Sequence, residues 1–158
     1  MAPLLTACSG FLCAVLWMDL IFDAQVLRHR QAGPELPETV LASIAAYYHR
    51  ATTTSHPMSR LIAAVMLILF GALGLQTALG HDPVWLLVSS AGLAGAPVAL
   101  ALTRTLPNAV RLGHRTDVAA EQTRLARSIC RDHLACALCM VAFLIMWVVH
   151  SLPWRGTY

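Results

Sequence analysis

Two aspartates inside the first hydrophobic stretch are the residues of this chain best placed to do chemistry. Asp19 and Asp23 lie four positions apart in the run WMDLIFD, residues 17–23. A spacing of four places both carboxylates on one face of a helix. Ionisable groups inside a membrane-spanning helix are rare, and they usually face a bundle interior or a water-filled cavity. The pair is therefore a candidate for acid–base or proton-handling chemistry.

The elements that position these aspartates are predicted by length and composition. The chain has 158 residues, of which 58% are hydrophobic and 12% are charged, whereas soluble domains are near 25% charged. Its mean hydropathy is +0.64. Crossing a hydrocarbon core of about 30 Å takes about 20 apolar residues of helix. Four stretches meet this requirement: residues 4–27, 57–79, 84–103 and 134–152. We therefore predict a single all-α domain, an integral membrane four-helix bundle with connections at 28–56 and 104–133.

The distribution of basic residues predicts the orientation of this bundle. All eleven are arginines, and ten of them lie around the first and third connections, while residues 80–83 between spans two and three have none. The positive-inside rule then places both arginine-rich connections in the cytoplasm and both termini on the outer side. The expected location is the inner or plasma membrane of the cell, as a multi-pass protein. No nucleic-acid-binding motif accompanies the charge, so nucleic acid is not an expected partner.

Both cytoplasmic connections are predicted to be helical and amphipathic. Apolar residues between Glu38 and Arg50 recur at helical spacing, which favours a short helix at the membrane interface or on the bundle. Leu106-Pro107-Asn108 predicts a turn after the third span. From Asp117 to Pro153 the chain contains no other Pro and no Gly, so the last span is predicted to continue as one helix of about 50 Å.

The predicted topology brings further polar side chains to the depth of the two aspartates. The candidate catalytic residues are Asp19, Asp23, His133 and Arg104. The candidate ligand-binding residues are His49, His56, Asn108, Arg111 and Arg131. Three interpretations stay open: an intramembrane ion pair between an aspartate and Arg60, Arg104 or Arg131, a metal site, and an acid–base site.

The metal interpretation has the weakest support in the spacing of the residues. Paired carboxylates and two histidines offer ligands for iron, manganese or zinc. The chain has neither a Glu-x-x-His nor a His-Glu-x-x-His spacing, so we assign no metal ligand. The residues do not identify a cofactor. Cys136 and Cys139 form a CxxC motif in the last span, where buried apolar thiols are the expected state.

A stripe of arginines precedes the last span. Glu121, Arg124, Arg127 and Arg131 fall on roughly one side of the predicted helix. One interpretation is a solvated or headgroup-facing surface. The other is a docking surface for an anionic substrate head or a partner, because guanidinium groups bind phosphate and carboxylate through two hydrogen bonds.

The layout resembles the anthrone-oxygenase-like family of small membrane proteins. The resemblance rests on the layout of four spans in 158 residues and on two motifs. These are Tyr47-Tyr48 between spans one and two, and Leu106-Pro107-Asn108 with Leu112 beyond. The chain lacks the family's residue between Pro and Asn and the Trp expected before the last span. The resemblance implies cofactor-independent oxidation of a hydrophobic polycyclic substrate, and it transfers no catalytic residue.

The residues together predict a small membrane enzyme that acts on a lipophilic substrate. Asp19 and Asp23 are its acid–base candidates, with Arg104 and His133 as their partners. Two other classes stay open: a non-catalytic accessory or assembly subunit of a membrane complex, and a proton-coupled small transporter working as an oligomer. The expected partners are the lipid bilayer, a lipophilic small molecule, and either another membrane protein or further copies of the chain.

Overall fold

A computed structural model describes residues 1–29 and 35–152, and every regular element in these ranges is helical. The elements in chain order are α1 (Ala2–Arg28), α2 (Glu38–Thr53), α3 (His56–Leu79), α4 (Val84–Leu100), α5 (Leu106–His114) and α6 (Ala119–Ser151), with a π-helical turn (Ala101–Thr105) between α4 and α5. Four helical stretches are long and apolar enough to cross a membrane: Ala2–Arg28, His56–Leu79, Val84–His114 and Ala119–Ser151. The predictions of an all-α fold and of four helices long and apolar enough to cross a membrane are confirmed in the described residues.

The four long helices pack around a central pair formed by α1 and α6. Helix α3 packs on α1, and α4 packs on α6. One apolar core cluster joins all four, with Leu5 of α1, Leu73 of α3, Leu86 of α4 and Trp147 of α6 among its members. The Trp147 indole also donates a hydrogen bond to Ser90 Oγ at 2.9 Å. Both ends of the described chain therefore lie at the same end of the bundle as the turn between α3 and α4.

A second core cluster lies at the opposite end, where α2 and α5 pack against each other and against α6. Helix α2 buries Val40, Leu41, Ile44 and Tyr48 on the side that faces this cluster. These positions repeat at helical spacing, as one buried face of a helix requires. The apolar residues predicted for the first connection therefore face protein here.

The predicted turn at Leu106-Pro107-Asn108 is wrong. The helix continues through these residues to His114, and the chain reverses at Arg115, whose φ is 54°. Pro107 has no N–H to donate inside this continuous helix, and local π adjustments re-satisfy backbone groups that a proline leaves without a partner. The preceding π turn absorbs the change in hydrogen bonding, and Thr105 Oγ1 bonds the carbonyl of Leu100 at 3.3 Å.

Helix α6 extends over 33 residues without interruption, which corresponds to about 50 Å. The predicted continuous last helix is confirmed, with its start at Ala119 rather than Asp117. Its first half packs in the second core cluster through Leu125 and Ile129, and its second half packs in the first through Met140 and Phe143. His133 lies between these halves, and Asp19 and Asp23 occupy the corresponding stretch of α1. The polar residues thus form a layer between two apolar cores.

Candidate functional site

Asp23 is the centre of a closed hydrogen-bonded cluster. Its side chain is fully buried, as α1, α2 and α6 converge on it. The Tyr48 hydroxyl donates to Asp23 Oδ1 at 2.7 Å, and His133 Nδ1 lies 2.7 Å from Asp23 Oδ2. The Tyr48 hydroxyl is also 3.4 Å from His133 Nδ1. Both carboxylate oxygens of Asp23 are therefore engaged within the protein.

This cluster fixes the orientation of His133. A buried carboxylate that accepts from Nδ1 of an imidazole holds the ring and its tautomer in place, as in hydrolase triads. Because Nδ1 faces Asp23, Nε2 is the ring nitrogen left for a ligand. The Cys130 thiol adds a contact to the backbone carbonyl of Asp23 at 3.7 Å, which further ties α6 to α1.

Asp19 has a more open environment than Asp23. It is half-buried, and it accepts a hydrogen bond on Oδ1 from the Tyr47 hydroxyl. The Tyr47 ring stacks on Phe22, with centroids 4.0 Å apart and planes inclined by 13°. Stacking fixes the phenol, so one carboxylate oxygen of Asp19 has a positioned donor while the side chain still borders open space.

The two tyrosines act as permanent hydrogen-bond donors. Burial raises the pKa of the Tyr47 phenol, and its bonded partner Asp19 raises it further. Burial likewise raises the pKa of Tyr48, with Asp23 as the second cause. Both phenols therefore stay protonated across the physiological range and stabilise the two carboxylates by donation.

A cavity of about 200 Å³ opens beside Asp19 between α1, α3, α4 and α6. We call it the Asp19 cavity. Its polar side chains are Asp19, Thr105 and His133, and the rest of its lining is aliphatic or sulfur-containing: Leu12, Val15, Leu16, Ile62, Met66, Pro97, Val98, Ala101, Cys136 and Met140. Pro97 and the π turn form its α4 wall. The site is thus an apolar chamber in which a carboxylate and an imidazole share one region.

A second cavity of about 440 Å³ lies on the other side of Asp19, between α1, α2 and α3. We call it the α2 cavity. It shares Val15, Asp19 and Ile62 with the Asp19 cavity, and its remaining lining includes Tyr47 and Arg50. Asp19 therefore lies at the junction of an apolar chamber and a more polar one.

Arg104 pairs with a different carboxylate from the two predicted. Its Nη2 lies 3.3 Å from Asp132 Oδ1 and 3.3 Å from Ser128 Oγ. Thr105 Oγ1 lies 3.5 Å from the other Asp132 oxygen. Within residues 1–29 and 35–152, no arginine forms a salt bridge with Asp19 or Asp23, so the predicted aspartate–arginine ion pair is not what this structure contains.

The remaining predicted site residues are dispersed. Asn108 donates to Ser128 Oγ at 3.4 Å, and Arg111 pairs with Asp117 at 2.8 Å and Glu121 at 3.0 Å. The rings of His49 and His114 meet edge to face at 6.4 Å, His56 begins α3 in an exposed position, and Arg131 lines a groove beside α6. Of the nine candidates, the structure brings Asp19, Asp23 and His133 together.

Sequence reasoning missed the tyrosines as partners of the aspartates. Tyr47 and Tyr48 lie on a connection whose apolar face was expected to meet lipid or the bundle. A signal was available, since a buried carboxylate requires donors and α2 carries two adjacent phenols. Asp132 was likewise missed as the partner of Arg104.

Neither a metal site nor a disulfide is found in the described part of the chain. No group of three or more His, Cys, Asp or Glu side chains has an arrangement that could hold a metal ion there. Cys136 and Cys139 are free thiols, the first buried and the second half-buried.

Comparison with protein-family models finds no match, and comparison with curated proteins and with solved structures finds none either. The resemblance to the anthrone-oxygenase-like family stays a prediction.

Proposed function

We propose that the protein is a small membrane enzyme that transfers a proton to or from a compact lipophilic substrate bound in the Asp19 cavity. One observation carries this proposal: an otherwise apolar cavity has a carboxylate and an oriented imidazole in its lining. Binding sites for small molecules commonly combine apolar walls with a few convergent polar groups.

The residues divide into two that touch the substrate and two that position them. Asp19 is the proton acceptor or donor, and His133 Nε2 is the second proton-transfer group. Asp23 and Tyr48 are positioning residues, because they hold His133 through its Nδ1 side and do not line the cavity. A positioned general acid or base contributes about 10²–10⁴-fold to a rate.

The cavity volume limits the part of the substrate that reacts. Pockets for drug-sized ligands hold about 300–1,000 Å³, and a cavity of about 150 Å³ accepts benzene. The Asp19 cavity, at about 200 Å³, therefore suits a group the size of one ring or a short chain. A larger substrate, such as the polycycle implied by the family resemblance, would extend past Asp19 into the α2 cavity.

The orientation and location follow the arginine distribution. With both arginine-rich connections in the cytoplasm, the termini face the outer side, the polar layer lies toward the cytoplasmic surface, and α2 and α5 cover it there. The bilayer is then the route by which a lipophilic substrate reaches the bundle. The membrane is the inner or plasma membrane of the cell.

Two other functions each have an observation in their favour. The Asp23–Tyr48–His133 cluster joins three helices, which suits a non-catalytic accessory or assembly subunit in which the polar layer is structural. The position of Asp19 between two cavities suits a proton-coupled transporter that works as an oligomer, with this carboxylate as its proton carrier.

Deuterium labelling tests the enzyme proposal without knowledge of the substrate. Wild-type protein in nanodiscs is incubated in D₂O with a membrane lipid extract, and the extract is compared by high-resolution mass spectrometry with one treated with Asp19→Asn. We expect that, with wild type alone, a small lipophilic compound gains deuterium at carbon or is converted into an isomer. Asp82→Asn is the matched control, because it makes the same substitution near the α3–α4 turn, at a residue that does not line the Asp19 cavity.

The outcomes separate the three functions. Equal labelling with wild type and Asp19→Asn contradicts the role given to Asp19. No labelling by wild type, together with constant co-purification of one other membrane protein, favours the accessory subunit. Loss of proton uptake by vesicles on Asp19→Asn, with no altered compound, favours the transporter.

A further inference from the structure

A groove on the face of α6 opposite the Asp19 cavity contains a second cluster of charged side chains. It has a volume of about 560 Å³ and runs between the end of α1 and the first half of α6. Its lining includes Arg124, Arg127 and Arg131, and we therefore call it the arginine groove. With 3.6 residues per turn, these positions lie on the opposite side of α6 from His133, Cys136 and Met140 of the Asp19 cavity. The groove is therefore separate from the proposed active site.

The cationic side of the groove is built on one helix. The three arginines follow the spacing i, i+3 and i+7, so their stems span about 10 Å along α6. Glu121 holds the Arg124 guanidinium through two hydrogen bonds, at 2.7 and 2.6 Å. Arg131 is exposed and Arg127 is half-buried. Of the described residues that line the groove, three are arginines and none is acidic, which favours an anionic ligand.

The other side of the groove is apolar. Val26 and Leu27 of α1 and Leu134 of α6 contribute to the lining, and Leu27 is 46% exposed. A free inorganic anion would leave these surfaces uncovered. An amphiphile with an anionic head would cover both sides at once, and basic pockets between membrane helices bind lipid headgroups in this way.

We propose that the arginine groove binds one acidic phospholipid, with its phosphate between Arg127 and Arg131 and an acyl chain along Leu27 and Leu134. Guanidinium groups suit this ligand because they bind phosphate oxygens through paired hydrogen bonds. The volume of the groove exceeds what a phosphate group alone fills. This site does not depend on the enzymatic function proposed above.

Native mass spectrometry of the full chain in a zwitterionic detergent measures the binding directly. Dioleoyl phosphatidylglycerol is titrated against dioleoyl phosphatidylcholine, and bound lipids are counted. We expect one phosphatidylglycerol to bind more tightly than phosphatidylcholine. Arg127→Gln combined with Arg131→Gln should weaken it by about 30-fold, since each basic residue near acidic lipid contributes about fivefold.

The matched control removes two arginines from elsewhere on the same end of the molecule. Arg50→Gln combined with Arg60→Gln causes the same change in net charge, and both side chains are exposed. An equal loss of phosphatidylglycerol binding in this control would show that only overall charge matters and would overturn the site. The single variant Arg131→Gln removes an exposed side chain and provides a second, milder test if the double variant folds poorly.

A third arm separates a lipid site from a site for soluble anions. Inorganic phosphate is added to wild type at millimolar concentration, and the thermal unfolding temperature is measured alongside that with phosphatidylglycerol. We expect stabilisation by the lipid alone. Equal stabilisation by phosphate, or equal binding of phosphatidylcholine and phosphatidylglycerol, would overturn the proposal.

Discussion

Asp19 and Asp23 have different neighbours, although they lie one helical turn apart. Asp23 has both oxygens bonded, to Tyr48 and His133. Asp19 has one oxygen bonded to Tyr47 and borders two cavities. The sequence motif is a pair, but the structure makes one carboxylate a fixed support and leaves the other accessible to a ligand.

Removing the Asp23 carboxylate should destabilise the bundle. Asp23→Ala removes the carboxylate that both the buried Tyr48 hydroxyl and His133 Nδ1 contact, and it leaves these groups only their long 3.4 Å contact with each other. Each poorly satisfied buried group costs roughly 1–3 kcal/mol. Asp23→Asn keeps an acceptor for Tyr48 and should cost less. Thermal unfolding in detergent, followed by circular dichroism, measures both variants. Equal stability of wild type and Asp23→Ala would contradict the description of this cluster as a link between three helices.

Alkaline titration should show that the α2 tyrosines ionise only when the protein unfolds. Their pKa values are raised in the folded state, so their contribution to stability is fully present below the ordinary tyrosine pKa of about 10 and falls as pH rises above it. In a Tyr158→Phe variant, which retains only Tyr47 and Tyr48, tyrosinate absorbance near 295 nm should therefore appear together with loss of helical ellipticity. Ionisation of either phenol in the fully folded protein near pH 10 would contradict the buried hydrogen bonds.

At the residue scale the sequence singled out the two aspartates but not the residues that contact them. The aspartates were found because carboxylates are costly inside an apolar helix. The residues that contact them were not found from the sequence. Position along a helix indicates the depth of a side chain in the membrane, but its contacts also depend on how each helix is rotated about its axis. Arg104 illustrates this limit: it lies at the predicted depth, yet it pairs with Asp132 on α6.

At the scale of elements, α2 is the helix on which the site depends most. It supplies both phenols, and it packs closely on α5. A Cβ atom built at Gly113 of α5 would lie 3.0 Å from the backbone nitrogen of His49 and 3.1 Å from its Cα. The two helices therefore cross at a contact that only a glycine permits without displacement.

Gly113→Ala should consequently destabilise the protein and disturb the site. The neighbour is backbone and cannot move aside as a flexible side chain does, so we expect a loss of about 1–3 kcal/mol. Gly74→Ala and Gly92→Ala are matched controls, because an added Cβ at either position meets nothing within 4 Å, and alanine is the better helix former. Thermal unfolding of the three variants compares them. A Gly113→Ala variant as stable as the controls would contradict the close crossing.

The long elements were predictable and the irregular one was not. Apolar length alone gave the four spans, because a spanning helix must satisfy its backbone internally. Pro107 was interpreted as a turn because proline usually ends a helix. The helix continues because a π turn precedes Pro107. This turn is held by contacts of Arg104 and Thr105 with Asp132 of α6. Such tertiary contacts have no signature in local sequence.

At the scale of the whole molecule, a polar layer separates two apolar cores. The core cluster near the described ends of α1 and α6 is formed by side chains of the four long helices, and the other is built mainly by α2, α5 and the first half of α6. Because the described ends of α1 and α6 lie at the same end of the bundle, the even number of spans places both on one side of any membrane that all four helices cross.

Cysteine labelling tests the proposed orientation. In a variant lacking the five native cysteines, His81→Cys should react with a membrane-impermeant maleimide added outside intact cells, because it lies in the turn between α3 and α4. Thr54→Cys, between α2 and α3, should react only after the membrane is opened. The reverse pattern would place the arginine-rich connections outside and contradict the orientation.

The π turn also bears on which changes in chain length the fold can tolerate. A turn of this type holds one residue more than the α-helix on either side of it needs, so the helices before and after it keep their faces. A chain shorter by one residue between 101 and 105 would therefore keep α4 and α5 in register with their neighbours, whereas the same deletion within α4 would rotate everything beyond it by about 100°. What the shorter chain would lose is local, namely the present positions of Ala101 and Thr105 in the lining of the Asp19 cavity and the contact of Arg104 with Asp132.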